Sequence, residues 1–267
     1  MRLSQGHLNL LKRCPRHFQH TYLDQIGLPT TLEQQERQTW GSHFHLLMQQ
    51  QELGLPIESL VQADPQMQRW MSAMTSAVPE ILAPRSTRRT FRESEHYRTL
   101  QVQDCLLTVI YDLLITDEFQ AQILDWKTYP KPQNRRWLEQ NWQTLLYPYV
   151  LAETSGYLPE QISLTYWFIQ TLEPPQSLKF TYSNSQHQQI GQKLQRLLNQ
   201  LRNHLQRYQV GEPFPQVRKV SVCDSCQFAV RCGRDTSNKV SGDSDYLDLA
   251  ISQNSLLNLT DIQEVSI

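Results

Sequence analysis

Apolar residues recur along this chain with two periods, and the change from one to the other marks out its elements. Leu8, Leu11, Phe18 and Tyr22 lie at helical spacing and predict a helix over residues 4–22, with Ser4 as N-cap. Cys14–Pro15 breaks it, because proline fits the first turn of a helix and not its interior. A second helix is expected over 34–53, closed by Gly54. Gly41 inside it costs helix propensity, which predicts close packing or a close backbone approach there. Residues 55–80, punctuated by Pro56, Pro65 and Pro79, read as peripheral helix. Short strands at 87–91 and 99–102 lead into an apolar run, 106–115, and a polar turn at 116–120 joins that run to a strand at 122–128. Pro130 and Pro132 forbid further ladder pairing. A helix over 137–154, a β-branched and aromatic strand at 162–169 and a long amphipathic helix over 185–208 follow. Pro213–Phe214–Pro215 then begins an extended segment, and residues 236–267 read as a polar, weakly ordered tail.

The hairpin carries the chemistry. Asp112 is an isolated acid in an apolar strand, where an unpaired carboxylate is costly to bury. Side chains alternate along a strand, so Asp125 and Lys127 share a face while Leu124 and Trp126 take the other. Two carboxylates and an amine gathered by a hairpin can hold a divalent metal and a hydrolytic water, the makings of a nuclease site. An Asp-x-Lys triplet alone is a common surface ion pair; Ile123–Leu124 before it and Asp112 across from it give this one weight. Gln140, Gln143 and Tyr147, three and four residues apart, are expected on one helix face.

Charge and cysteines narrow the picture. The formal net charge is −1, yet the tail sets Lys239 against Asp243, Asp245, Asp248, Asp261 and Glu264, which leaves the body mildly basic. Its cations cluster at Arg85/Arg88/Arg89, Lys131/Arg135/Arg136 and Arg218/Lys219, favourable to phosphate but not diagnostic. The sequence has no apolar run of membrane-spanning length and no secretory leader at its start, so a soluble, cytoplasmic protein is expected. In a reducing compartment, Cys223, Cys226 and Cys232 read as metal ligands rather than disulfide halves. A closed tetrahedral set needs a fourth donor. Zinc and an iron–sulfur cluster both remain open, and Cys105 is read as a small buried residue. A phosphate-cradling Gly-x4-Gly-Lys-Ser/Thr loop is absent from the sequence, which excludes that type of ATP motor.

The order helix, hairpin, helix, strand, helix with these residues resembles the PD-(D/E)XK nuclease superfamily, and more narrowly its RecB-like exonuclease branch. Five marks carry the likeness over roughly residues 3–235: Cys14–Pro15 followed by Phe18, Gly41 followed by His45, Asp112, Asp125–Trp126–Lys127, and Gln143 with Tyr147. Val109 departs from it, standing where the family usually has glycine three residues before the first acid. The resemblance implies an α/β, restriction-endonuclease-like central mixed sheet flanked by helices, as one nuclease domain over 1–235 with a helical insertion at about 55–85. It implies an active, Mg²⁺- or Mn²⁺-dependent DNA exonuclease, with His45, Asp112 and Asp125 as metal ligands and Lys127, Gln143 and Tyr147 beside them. Cys14 would join Cys223, Cys226 and Cys232 around a [4Fe–4S] cluster, as in CRISPR-associated exonucleases and the AddB-type nuclease, joining the N- and C-terminal segments. The partners implied are DNA, as single strands or frayed ends, and a helicase or integrase protein. The rival reading is a non-catalytic DNA-end-binding subunit of such a complex.

Overall fold

A computed structural model describes residues 1–27, 31–82, 90–131, 134–170 and 174–234. In chain order the elements are β1 (Arg2–Leu3), α1 (Gln5–Arg13), α2 (Pro15–Phe18), α3 (Leu32–Glu52), α4 (Glu58–Ala63), α5 (Pro65–Ala77), α6 (Pro79–Leu82), β2 (Phe91–Val102), β3 (Cys105–Thr116), β4 (Ala121–Lys127), α7 (Arg135–Glu139), α8 (Trp142–Thr154), β5 (Ile162–Phe168), β6 (Gln176–Thr181) and α9 (Asn184–Gln209). Two units emerge: Met1–Gln5 with Thr31–Leu198, and Gly6–Thr30 with Asn199–Ile267.

The first unit is built on a mixed sheet. β1 runs parallel to β3, β2 and β4 pair with β3 antiparallel, β4 and β5 are parallel, and β6 closes the order antiparallel to β5. The parallel β4–β5 step needs a crossover connection, which α7 and α8 supply. Phe44, Leu47 and Met48 of α3 pack with Met67, Trp70, Met71 and Met74 of α5 against Leu113, Leu124 and Trp126 of the sheet. Burying each such side chain contributes about 1.5–3 kcal/mol relative to exposure. The α/β class and the helix-flanked mixed sheet are therefore as expected.

Several local expectations change. Phe91–Val102 is one continuous strand, not the end of two short ones, and residues 87–89 of the first lie outside the described residues. Glu93–Ser94–Glu95–His96 at its centre hid it, because no apolar alternation runs through them. The helices after residue 55 are not peripheral: α5 supplies four core side chains. Pro65 and Pro79 start helices at the position where a missing N–H costs nothing. The expected helix over 137–154 is two, because Asn141 caps a new start with its side chain accepting the Gln143 N–H. Gln140 is thereby left at the end of α7, off the face that carries Gln143 and Tyr147. β1 and β6 were not foreseen. The tail over 236–267 lies outside the described residues, as do Arg85, Arg88, Arg89 and Pro132.

In the second unit the chain breaks at Cys14–Pro15 as proline dictates, giving α1 and α2. Early and late segments are tied together there. Gln19 Oε1 accepts the Phe214 N–H at 2.7 Å, Arg16 Nε donates to Phe214 O at 2.6 Å, and Tyr208 Oη donates to Asp24 at 2.7 Å. Phe18 and Phe214 stack with ring centroids 6.2 Å apart. Among the described residues, no helix is long and apolar enough to cross a membrane.

Candidate active site

The site forms where two strands part. β2 lines one edge of β3 from end to end, so β1 and β4 share the other edge, β1 at Leu106 and Leu107 and β4 from Leu113 onward. The β3–β4 ladder ends at Leu113 opposite Leu124, one residue short of Asp112 and Asp125. Into that fork Asp112 places its carboxylate: Oδ2 accepts the Trp126 N–H at 2.6 Å, replacing the carbonyl a ladder would offer. Its Oδ1 lies 3.4 Å from His45 Nδ1, and His45 Nε2 lies 3.1 Å from the Trp126 carbonyl. α3 can bring the imidazole this close because Gly41, one turn earlier, has no side chain. A Cβ there would lie 3.1 Å from Thr128 Oγ1, so the close approach read from the sequence is present.

Electrostatics mark this spot as one that favours positive charge. Burial opposes a proton on His45, but the Asp112 and then the Asp125 carboxylates raise its pKa to about 9. Burial likewise opposes ionisation of Asp112, yet His45, Lys127 and the Trp126 N–H hold its pKa below the ordinary value. The carboxylate oxygens suit Mg²⁺ or Mn²⁺, and the imidazole, a softer donor, would favour Mn²⁺ of the two once its proton is displaced.

Behind this opening lies a buried network. Lys127 Nζ pairs with Asp125 Oδ1 at 2.6 Å, and Gln143 Nε2 donates to Asp125 Oδ2 at 2.7 Å. Gln143 also reaches Tyr147 Oη at 3.2 Å, and Tyr111 Oη donates to the Tyr147 carbonyl at 2.9 Å. Lys127 Nζ lies 5.3 Å from the centre of the Tyr166 ring. The Lys127 and Asp125 side chains are 8% and 1% exposed, against 25% and 10% for His45 and Asp112. The imidazole is thus the most open group of the site, and the acid–lysine pair is dry. Side chains from α3, β3, β4 and α8 are gathered here, His45 with Asp112 and Asp125 with Lys127 and Gln143.

One residue here escaped the sequence. Among the described residues, His45, Glu95 and Asp112 bring ligand atoms within 4.8 Å of one another. Glu95 is passed over by the β2–β3 register, between the pairs Ser94 with Leu113 and His96 with Tyr111, at the level of Asp112. Its φ of +51° is rare for a side chain other than glycine and departs from the extended strand on either side. An acid in an unrecognised polar strand gives no motif to find it by.

In the second unit Cys14, Cys223, Cys226 and Cys232 line one cavity together with His17, Phe228 and Arg234. Cys226 Sγ lies 3.8 Å from His17 Nδ1 and Cys232 Sγ 3.9 Å from His20 Nε2. All are free thiols, and burial raises the pKa of Cys226 and Cys232. Among the described residues, no three of these donors converge within 4.8 Å. Cys105 stands at the start of β3, half-buried and opposite Val102.

Comparisons with known proteins bear on the fold and the family. A crystal structure of a candidate exonuclease from Eubacterium rectale is 11% identical with a TM-score of 0.52, covering 92% of this chain and 91% of that one, a likeness of fold. The structure of SSO0001, also 11% identical and covering 86% and 85%, has a TM-score of 0.37, too low to carry an argument. A search of curated proteins finds no match. The family model of the PD-(D/E)XK nuclease superfamily matches residues 2–233. With nearly the whole described chain inside that match, the protein belongs to the PD-(D/E)XK nuclease superfamily, whose members hydrolyse phosphodiester bonds.

Proposed function

We propose that this chain is a Mg²⁺- or Mn²⁺-dependent deoxyribonuclease that degrades single strands or frayed ends, with His45, Asp112 and Asp125 as the cation's protein ligands. The observation that carries the reading is the fork at Asp112 and Asp125, where imidazole, two carboxylates and an ammonium meet at a partly open edge. A divalent cation held there supplies charge neutralisation on the phosphate and activation of water. The protein's own groups do the rest. Lys127 offsets negative charge developing on the phosphoryl oxygens and orients the attacking water. Asp125 holds the ammonium in place, and Gln143 fixes the carboxylate plane from its other oxygen. Tyr147 anchors Gln143, and its own carbonyl is tied to Tyr111. A protein that opens strands, a helicase or an integrase complex, is the partner suited to this activity, in DNA repair, recombination or CRISPR-like processing.

The cysteine cavity is read as a [4Fe–4S] site that fixes the second unit, with Cys14, Cys223, Cys226 and Cys232 as ligands. Zinc at about 2.3 Å from each sulfur would draw the four thiolates to within roughly 3.8 Å of one another. A cluster is larger than a single ion and would hold the same four sulfurs farther apart. Anaerobic purification with iron and zinc analysis decides between them: about four irons per chain and absorbance near 400 nm support the cluster.

Activity is tested with labelled single-stranded DNA in Mn²⁺. Cleavage by the wild type that is lost in Asp125→Asn supports the nuclease reading. DNA binding without cleavage in any divalent metal would sink it and favour an end-binding subunit instead.

A further inference from the structure

We propose that Glu95 is a further protein ligand of the cation held by His45 and Asp112, an assignment that rests on the metal-dependent reading above. Three observations point there. First, the ligand atoms of His45, Glu95 and Asp112 already lie within 4.8 Å of one another. Ligands about 2.1 Å from one octahedral cation lie roughly 3.0 Å apart when adjacent and 4.2 Å when opposite. Small side-chain rotations therefore bring all three onto a single ion.

Second, Glu95 is the one residue between Phe91 and Val102 that the β2–β3 register passes over, and its φ of +51° turns it out of the regular strand at the level of Asp112.

Third, Gln51 lines the same cavity as Asp112, together with Ser94 and Trp126. Its Oε1 is buried and has no hydrogen-bond partner among the described residues. A buried amide oxygen without a donor is costly, and a hydrated cation beside Asp112 brings water that can satisfy it.

The test is Mn²⁺ binding to the full-length chain, followed by electron paramagnetic resonance of the free ion and independently of DNA cleavage. Glu95→Gln keeps the shape and removes the charge. It is expected to weaken Mn²⁺ binding about tenfold or more. Its metal-free unfolding midpoint is read alongside. A purely structural Glu95 would instead show a lowered midpoint with unchanged Mn²⁺ affinity. Glu95→Asp keeps the charge and should bind Mn²⁺ more tightly than Glu95→Gln, while Glu93→Gln, at an exposed position on the same strand, should match the wild type. Equal affinity in the wild type, Glu95→Gln and Glu95→Asp would overturn the assignment. If Asp112→Asn then loses the ion, the metal-dependent reading survives that failure. If the wild type itself binds no Mn²⁺, both fall together.

Discussion

The fork in the first unit and the thiol cavity in the second both collect ligand-type side chains from distant parts of the chain, but they hold them differently. At the fork the polar groups are already engaged. Asp112 takes the Trp126 N–H, Asp125 takes Lys127 and Gln143, and His45 sits between an acid and a carbonyl. In the cavity, sulfur meets imidazole at 3.8 and 3.9 Å, too long for strong bonds, and burial favours the protonated thiols. Strands and helices set the geometry of the first before any ion arrives. Buried thiolates need a metal to be stable at all, so in the second the metal would set the geometry. The contrast fits the different work proposed for them: a site rigid beforehand suits catalysis, whereas one shaped by its metal suits stability.

The strongest way to break this contrast is at Lys127. Lys127→Met leaves Asp125 buried without its ion partner, which costs about 3–5 kcal/mol of stability, and should lower DNA cleavage roughly 100- to 1,000-fold. The double variant Asp125→Asn/Lys127→Met should regain part of the stability and none of the activity, as read by urea melts and a cleavage assay. Equal instability of single and double variants would show the pair is not the dry, coupled unit described.

Next is Cys14→Ser. It should cut the metal bound per chain and lower the unfolding midpoint of the second unit, as metal analysis and calorimetry would show. Mn²⁺ binding at the fork should stay within about twofold of the wild type, since every group named there belongs to the first unit. A variant with full metal content would remove Cys14 from the ligand set.

A smaller effect is expected at Tyr111. Tyr111→Phe deletes a buried hydrogen bond to the Tyr147 carbonyl and should cost about 1–2 kcal/mol in a denaturant melt. Because it removes no group near the phosphate, cleavage should fall less than tenfold.

The smallest effect concerns acid. Burial disfavours ionised Asp24, but hydrogen bonds from Tyr208, His20 and Gln19 outweigh it and depress its pKa. The stability it contributes is therefore present above the ordinary carboxylate value, near 3.9, and is lost as pH falls through the lower folded value. Asp24→Asn should destabilise the second unit at neutral pH, and the gap from wild type should close in acid melts. A gap that persists at low pH would mean a packing role, not a charged one.

What could be read in advance follows the same division. Asp112, Asp125 and Lys127 were legible because polar residues inside apolar strands break a strong pattern. His45 was legible only through Gly41, whose absent side chain is what lets α3 reach Thr128. The cysteines announced themselves by spacing. Glu95 was not legible, since β2 is half-exposed and polar at its centre, and its positive φ leaves no trace in composition. Nor was β1, because two residues pairing with Leu106 and Leu107 are too few to show a period. The break before Asn141 was hidden by a continuous helical pattern, and only the cap interaction reveals it.

The Trp126 amide proton is held by a carboxylate instead of a peptide oxygen. Nuclear resonance would therefore find it shifted downfield of its strand neighbours, and any ion drawing electron density from Asp112 would move it back. On the proposed reading that amide would serve as an occupancy gauge, readable without substrate or label on the ion.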